Sequence, residues 1–127
     1  HRVSLAECLR EAMTEARPMA DWIQTEQQLG TPLIIETIHA VLSSDSPLEE
    51  RVAARLPEHL DPRLDRVFLV RTGALFPAYR TFSLLEQLKG RVDAPTVLFY
   101  PGLLEGPAGL RFMGLLDAEH NYRPTIY

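Results

Sequence analysis

Val67-Phe68-Leu69-Val70, then the stretch from Ala78 to Lys89, then Thr96-Val97-Leu98-Phe99-Tyr100 decide how this chain folds. Four successive apolar residues with two β-branched members read as a strand apolar on both faces, the pattern of a parallel sheet covered by helices. In the middle stretch Phe82, Leu85 and Leu88 fall on one helical stripe with Leu84 beside it, and Gly90 is placed to end the helix. A strand, a helix of about a dozen residues and a second apolar strand make a βαβ unit, whose crossover is expected to be right-handed. The fold class that follows is a small layered α/β domain with a mainly parallel sheet of three to four strands flanked by helices. Thr125 to Tyr127 is a candidate for a final edge strand.

Upstream of this unit the signals are helical. Ser4-Leu5-Ala6-Glu7 matches a capping box, with Leu5, Leu9, Ala12, Met13 and Ala16 on one stripe behind it. Pro18 should close that helix and open a second that buries Met19, Trp22, Ile23 and Leu29, with Gly30 as its cap. Residues 33–42, Leu-Ile-Ile-Glu-Thr-Ile-His-Ala-Val-Leu, fit two periods. Three β-favouring residues after a Gly-Thr-Pro turn argue a short strand leading into a helical turn, the reading adopted here. Positions 34, 35, 38, 41 and 42 also trace a helical face behind Pro32. Ser46-Pro47-Leu48-Glu49 is a second capping box, expected to open a helix to about Leu56 before Pro57, and residues 58–65 form a polar connector.

A chain of 127 residues, 46% hydrophobic and 24% charged, has the composition of one globular domain, and 1–127 is expected to be a single one. Its first residue is His1 rather than methionine, which leaves room for an N-terminal segment ahead of it. No apolar run approaches the roughly 18–20 residues of a membrane span. The single cysteine, Cys8, excludes an internal disulfide and a cysteine-only zinc site, and a cytoplasmic location is expected. The formal net charge of −4 argues against wholesale binding of nucleic-acid phosphates. Twelve of the thirteen basic residues are arginine, a side chain suited to bidentate pairing with carboxylate or phosphate.

Ligands of open parallel sheets bind where loops leave the carboxyl ends of the strands. Those loops hold Arg71-Thr72-Gly73 and Tyr100-Pro101-Gly102, and further on stand Arg111, Tyr122 and Arg123. The candidate partner- or anion-binding set is therefore Arg71, Gly73, Tyr100, Gly102, Arg111, Tyr122 and Arg123. Against it stands the plainer reading that each arginine pairs with a carboxylate or stacks on an aromatic ring, which weighs more, and that the glycines serve turns. Asp117, Glu119, His120 and Asn121, with His59 or Asp61, match no metal-ligand spacing, so no metal is expected. No cofactor and no catalytic residue is expected either. There is no phosphate-gripping G-x-x-x-x-G-K-[ST], and Gly102 to Gly109 reads as a flexible glycine-rich loop. Ser83 has no nucleophile-elbow context, and Cys8 has no predicted basic neighbour.

The strand ending Phe99-Tyr100-Pro101-Gly102, the segment Leu110-Arg111-Phe112 and the closing Tyr122-Arg123 resemble the BrxB family, a component of bacterial BREX phage-defence systems. Arg66 to Phe76 and Arg80 to Leu88 add to the likeness, which covers 66–127 well and the first half loosely. The resemblance implies a non-enzymatic, protein-binding member of a BREX complex. Its implied partners are other BREX subunits, among them the PglZ-type alkaline-phosphatase-like protein, and the family offers no catalytic residues to carry over. The alternative from another class is a nucleotide- or phosphate-binding domain using the same crevice.

Overall fold

The computed structural model describes residues 1–106, 109–113 and 125–126. Strand β1 (Arg2–Ser4) runs directly into α1 (Leu5–Ala16), followed by α2 (Met19–Leu29) and α3 (Thr31–Ala40). A wide π-helical turn at Val41–Asp45 leads to α4 (Leu48–Ala53). Then come β2 (Val67–Val70), a 3₁₀ turn at Thr72–Leu75, α5 (Thr81–Leu88), β3 (Thr96–Leu98), and the arms β4 (Gly102–Glu105) and β5 (Gly109–Phe112). Both the parallel sheet and its helical cover agree with the α/β class expected from the sequence.

The main sheet has the order β1-β2-β3 and is parallel throughout. Its central strand is the predicted Val67–Val70. The two crossovers advance across the sheet in one direction, and right-handed crossovers of that kind set their helices on the same face. Val3, Val67 and Leu69 face those helices and are fully buried, with Leu5, Leu42, Leu48, Val52, Leu75 and Leu84 completing the core. Phe68 points the other way and is exposed. Along β2 the apolar run therefore alternates between fully buried Val67 and Leu69 and the more exposed Phe68 and Val70.

The Ser4 half of the first capping box forms, with the Glu7 amide donating to Ser4 Oγ at 3.4 Å. The second does not. Pro47 occupies the cap position without a side-chain bond, and Ser46 Oγ accepts instead from Arg51 Nε. This helix also stops at Ala53 rather than near Leu56. Arg51 and Arg55 reach Glu15 and Glu11, which ties α4 to α1. The Arg51 guanidinium holds the Glu15 carboxyl below its ordinary range.

Residues 33–42 are helical, which corrects the strand reading. Pro32 sits in the first turn, where its missing donor has no partner to lose, and Ile34, Val41 and Leu42 turn toward the core. His39 on this helix meets the Ala78 carbonyl through Nδ1 at 2.9 Å. In α2 only Trp22 is buried, whereas Met19, Ile23 and Leu29 are exposed against expectation. The crossover helix starts at Thr81, later than Ala78, and β3 ends at Leu98, short of Tyr100. The glycine-rich stretch after β3 is an antiparallel pair, Gly102↔Phe112 through Glu105↔Gly109, and not a loop. Thr125 and Ile126 have no strand structure, and Tyr127 lies outside the described residues.

Candidate functional site at the carboxyl ends of the strands

The chain leaves β2 through Arg71, whose backbone is left-handed (φ 58°, ψ 38°), and enters the 3₁₀ turn there. Thr72 turns inward, is buried, and donates from Oγ1 to the Phe99 carbonyl at 2.5 Å. That bond fastens the loop after β2 to the end of β3. The two loops then run side by side: a methyl on Gly73 would meet Pro101 Cγ at 3.5 Å. Phe112 of β5 stacks on Phe76 (5.0 Å between centroids) and meets Tyr100 edge-on (5.6 Å), so the β4–β5 pair is pinned against the same loops. Arg71, Gly73, Tyr100 and Gly102 accordingly stand on adjoining segments.

Arg111 is placed differently. Side chains alternate along a strand, so Arg111 points away from the side on which Phe112 packs. Its guanidinium is taken up by Glu105, with Nε 2.7 Å from Oε2. Tyr122 and Arg123 lie outside the described residues, as do Asp117, Glu119, His120 and Asn121. Arg71 is exposed and meets no carboxylate among the described residues.

A left-handed arginine is strained by roughly 1–2 kcal/mol, and glycine relieves that while adding about 0.5–1 kcal/mol of chain entropy to lose. Arg71→Gly is therefore expected to raise stability by about 0.5 kcal/mol, seen as a higher urea midpoint. A lower midpoint would mean that the guanidinium itself holds the loop.

Gly102 is needed for close approach. A methyl there would stand 2.5 Å from the Arg111 carbonyl oxygen and 2.5 Å from Tyr100 Cε1. Since the first neighbour is backbone of the paired strand, Gly102→Ala is expected to part β4 from β5 and to destabilise by about 1–3 kcal/mol in urea unfolding.

Cys8 is fully buried, and burial pushes its thiol pKa up, away from the reactive thiolate. Asp61 is used by its own turn, accepting from the Arg63 amide at 2.8 Å. Among the described residues no group of three or more His, Cys, Asp or Glu is arranged to hold a metal. A groove of about 430 Å³ between Leu85, Leu88, Val92, Ala94 and Thr96 lies at the amino end of β3, away from the loops just described. No helix among the described residues is long and apolar enough to cross a membrane. Sequence reasoning missed Thr72, whose only sequence signal was a β-branched hydroxyl directly after a buried strand.

Comparison with known proteins places these features in a family context. The family model described as BREX protein BrxB matches residues 1–126. A curated relative, BREX protein BrxB of Bacillus cereus (strain H3081.97), is 29% identical over 120 residues, covering 94% of this chain and 61% of its own length. The chain thus spans about three fifths of the relative it matches. No solved structure matches it significantly.

Proposed function

The chain belongs to the BrxB family, and from that premise we propose that it is a non-catalytic adaptor of a BREX anti-phage assembly that docks another subunit. The observation that carries this reading is Arg71, a residue with a left-handed backbone and an exposed guanidinium that meets no carboxylate among the described residues, at the edge of two loops clamped by Thr72, Phe76, Tyr100 and Phe112. Backbone strain of this kind persists where surrounding structure over-determines it, and such positions gather at binding sites. Arginine and tyrosine on a rigid rim are also the residue types that dominate protein-binding hot spots. The PglZ-type subunit is the partner we expect, on the family likeness.

Co-purification with each BREX subunit tests the proposal. Arg71→Ala and Arg123→Ala are expected to weaken capture at least tenfold, and Arg111→Ala less, because Glu105 already engages that side chain. Capture unchanged in all three variants would remove the rim from the interface. A nucleotide panel in a thermal-shift assay separates the alternative reading, since a ligand at 100 times its Kd adds about 2.7 kcal/mol of stability. No shift is expected.

A further inference from the structure

Strand β3 is the last in the order β1-β2-β3 and so forms an edge of the sheet. Its pairing fixes which main-chain groups look outward: the Val67 amide donates to the Pro95 carbonyl and the Phe99 amide to the Leu69 carbonyl, both at 3.0 Å, so Pro95, Val97 and Phe99 turn toward β2. Thr96 and Leu98 therefore direct both amide and carbonyl away from the sheet. Neither has a main-chain partner for these groups among the described residues. Beside this edge lies the groove of about 430 Å³, walled by Leu85, Leu88, Val92 and Ala94 with Thr96 as its strand side. No residue of β2 lines it, which places it toward the free edge and not over the centre of the sheet. Two charges stand on its rim. Lys89, the one lysine of the chain, and Glu86, about one helical turn before it, are exposed and form no ion pair among the described residues. By contrast nearby Arg91 faces Glu50 at 3.9 Å.

We propose that this edge and groove bind the C-terminal tail of a partner protein, extended antiparallel to β3, with an apolar last side chain in the groove and the terminal carboxylate against Lys89. Each part answers an observation. Unpaired amides and carbonyls two residues apart on one strand are completed by another extended chain, not by a helix. Helix α5 runs back across the sheet, so its carboxyl end with Lys89 lies beside the amino end of β3. A chain end held there by its carboxylate runs opposite to β3. Side chains alternate along a strand, so the last residue of the tail and the third from last face α5 together. The earlier of the two lies toward Glu86, which favours a basic residue there. This surface is remote from the Arg71 rim, and the inference goes beyond the adaptor reading without resting on it.

The probe is a fluorescent hexapeptide ending Lys-Val-Leu with a free carboxylate, compared by anisotropy with its C-terminal amide. The acid is expected to bind, and the amide to bind at least tenfold more weakly. Lys89→Gln, at an exposed position, should weaken binding of the acid at least tenfold and leave that of the amide unchanged. Thr96→Pro removes one outward amide, a change that edge strands tolerate, and should weaken the acid likewise, with circular-dichroism melts showing the fold retained. In the wild-type chain the bound acid is expected to slow amide exchange at Thr96 and Leu98. Absence of binding, equal binding of acid and amide, indifference to Lys89→Gln, or unchanged exchange at those two amides overturns the proposal. So does a dimer in sedimentation that Thr96→Pro dissolves, because a second copy then occupies the edge.

Discussion

Leu69→Ala is expected to remove about 2–5 kcal/mol of stability, while Phe68→Ser, one position away on the same strand, should cost about 1 kcal/mol or less. Leu69 is fully buried on the helical side, paired across the sheet with Val3 and Leu98. Truncation there loses transfer energy and leaves a cavity that the sheet backbone cannot close. Phe68 faces the other side, and its neighbour in ring contact, Phe99, is itself exposed. Against a total of about 5–15 kcal/mol for a domain, the first change approaches the threshold of unfolding and the second does not. Urea denaturation of both variants reads the difference directly. Similar losses at the two positions would show that Phe68 is as fully covered in solution as Leu69.

The elements legible in the sequence were those whose signals are local. The apolar run at 67–70, the stripe of α5 and the Ser4–Glu7 cap each sit within a few residues, and each forms. Strand β1 was not legible: Arg-Val-Ser has no strand signature, and its pairing comes from β2, where the Phe68 amide donates to the His1 carbonyl at 2.8 Å. Tertiary competition explains the second capping box, since Arg51 claims Ser46 before the helix amides can. Residues 33–42 carried both periods, and Pro32 with the core-facing Ile34, Val41 and Leu42 selected the helix. As for the rim, sequence placed Arg71 and Gly73 beside Tyr100 and Gly102 by the general rule for parallel sheets. It could not reveal the engagement of Arg111 by Glu105, because the glycine-rich stretch read as a loop hid the strand pairing that brings them together.

Trp22→Ala is expected to release α2 from the body of the protein, at about 3–5 kcal/mol if the loss were fully expressed in global unfolding. Trp22 is 3% exposed and is the one buried side chain of its helix. Its indole Nε1 donates to the Met13 carbonyl at 2.9 Å, and the Arg17 guanidinium lies 3.8 Å from the ring centroid. Met19, Ile23 and Leu29 are exposed and add little, so a single residue carries the attachment of α2 to α1. An element held at one point opens locally before the whole fold does. The expected outcome is therefore fast amide exchange confined to α2 in the alanine variant, with α3, held by Ile34 and by the bond of His39 to the Ala78 carbonyl, and β2 still protected. Trp22→Phe should keep most of the packing and lose about 1 kcal/mol for the missing indole donor. Because the chain has only one tryptophan, its fluorescence reports this anchor in the wild-type protein. A fluorescence transition at lower urea than the circular-dichroism transition would follow from local opening, whereas coincident transitions and uniform exchange in Trp22→Ala would show that α2 is bound into the core by more than its indole.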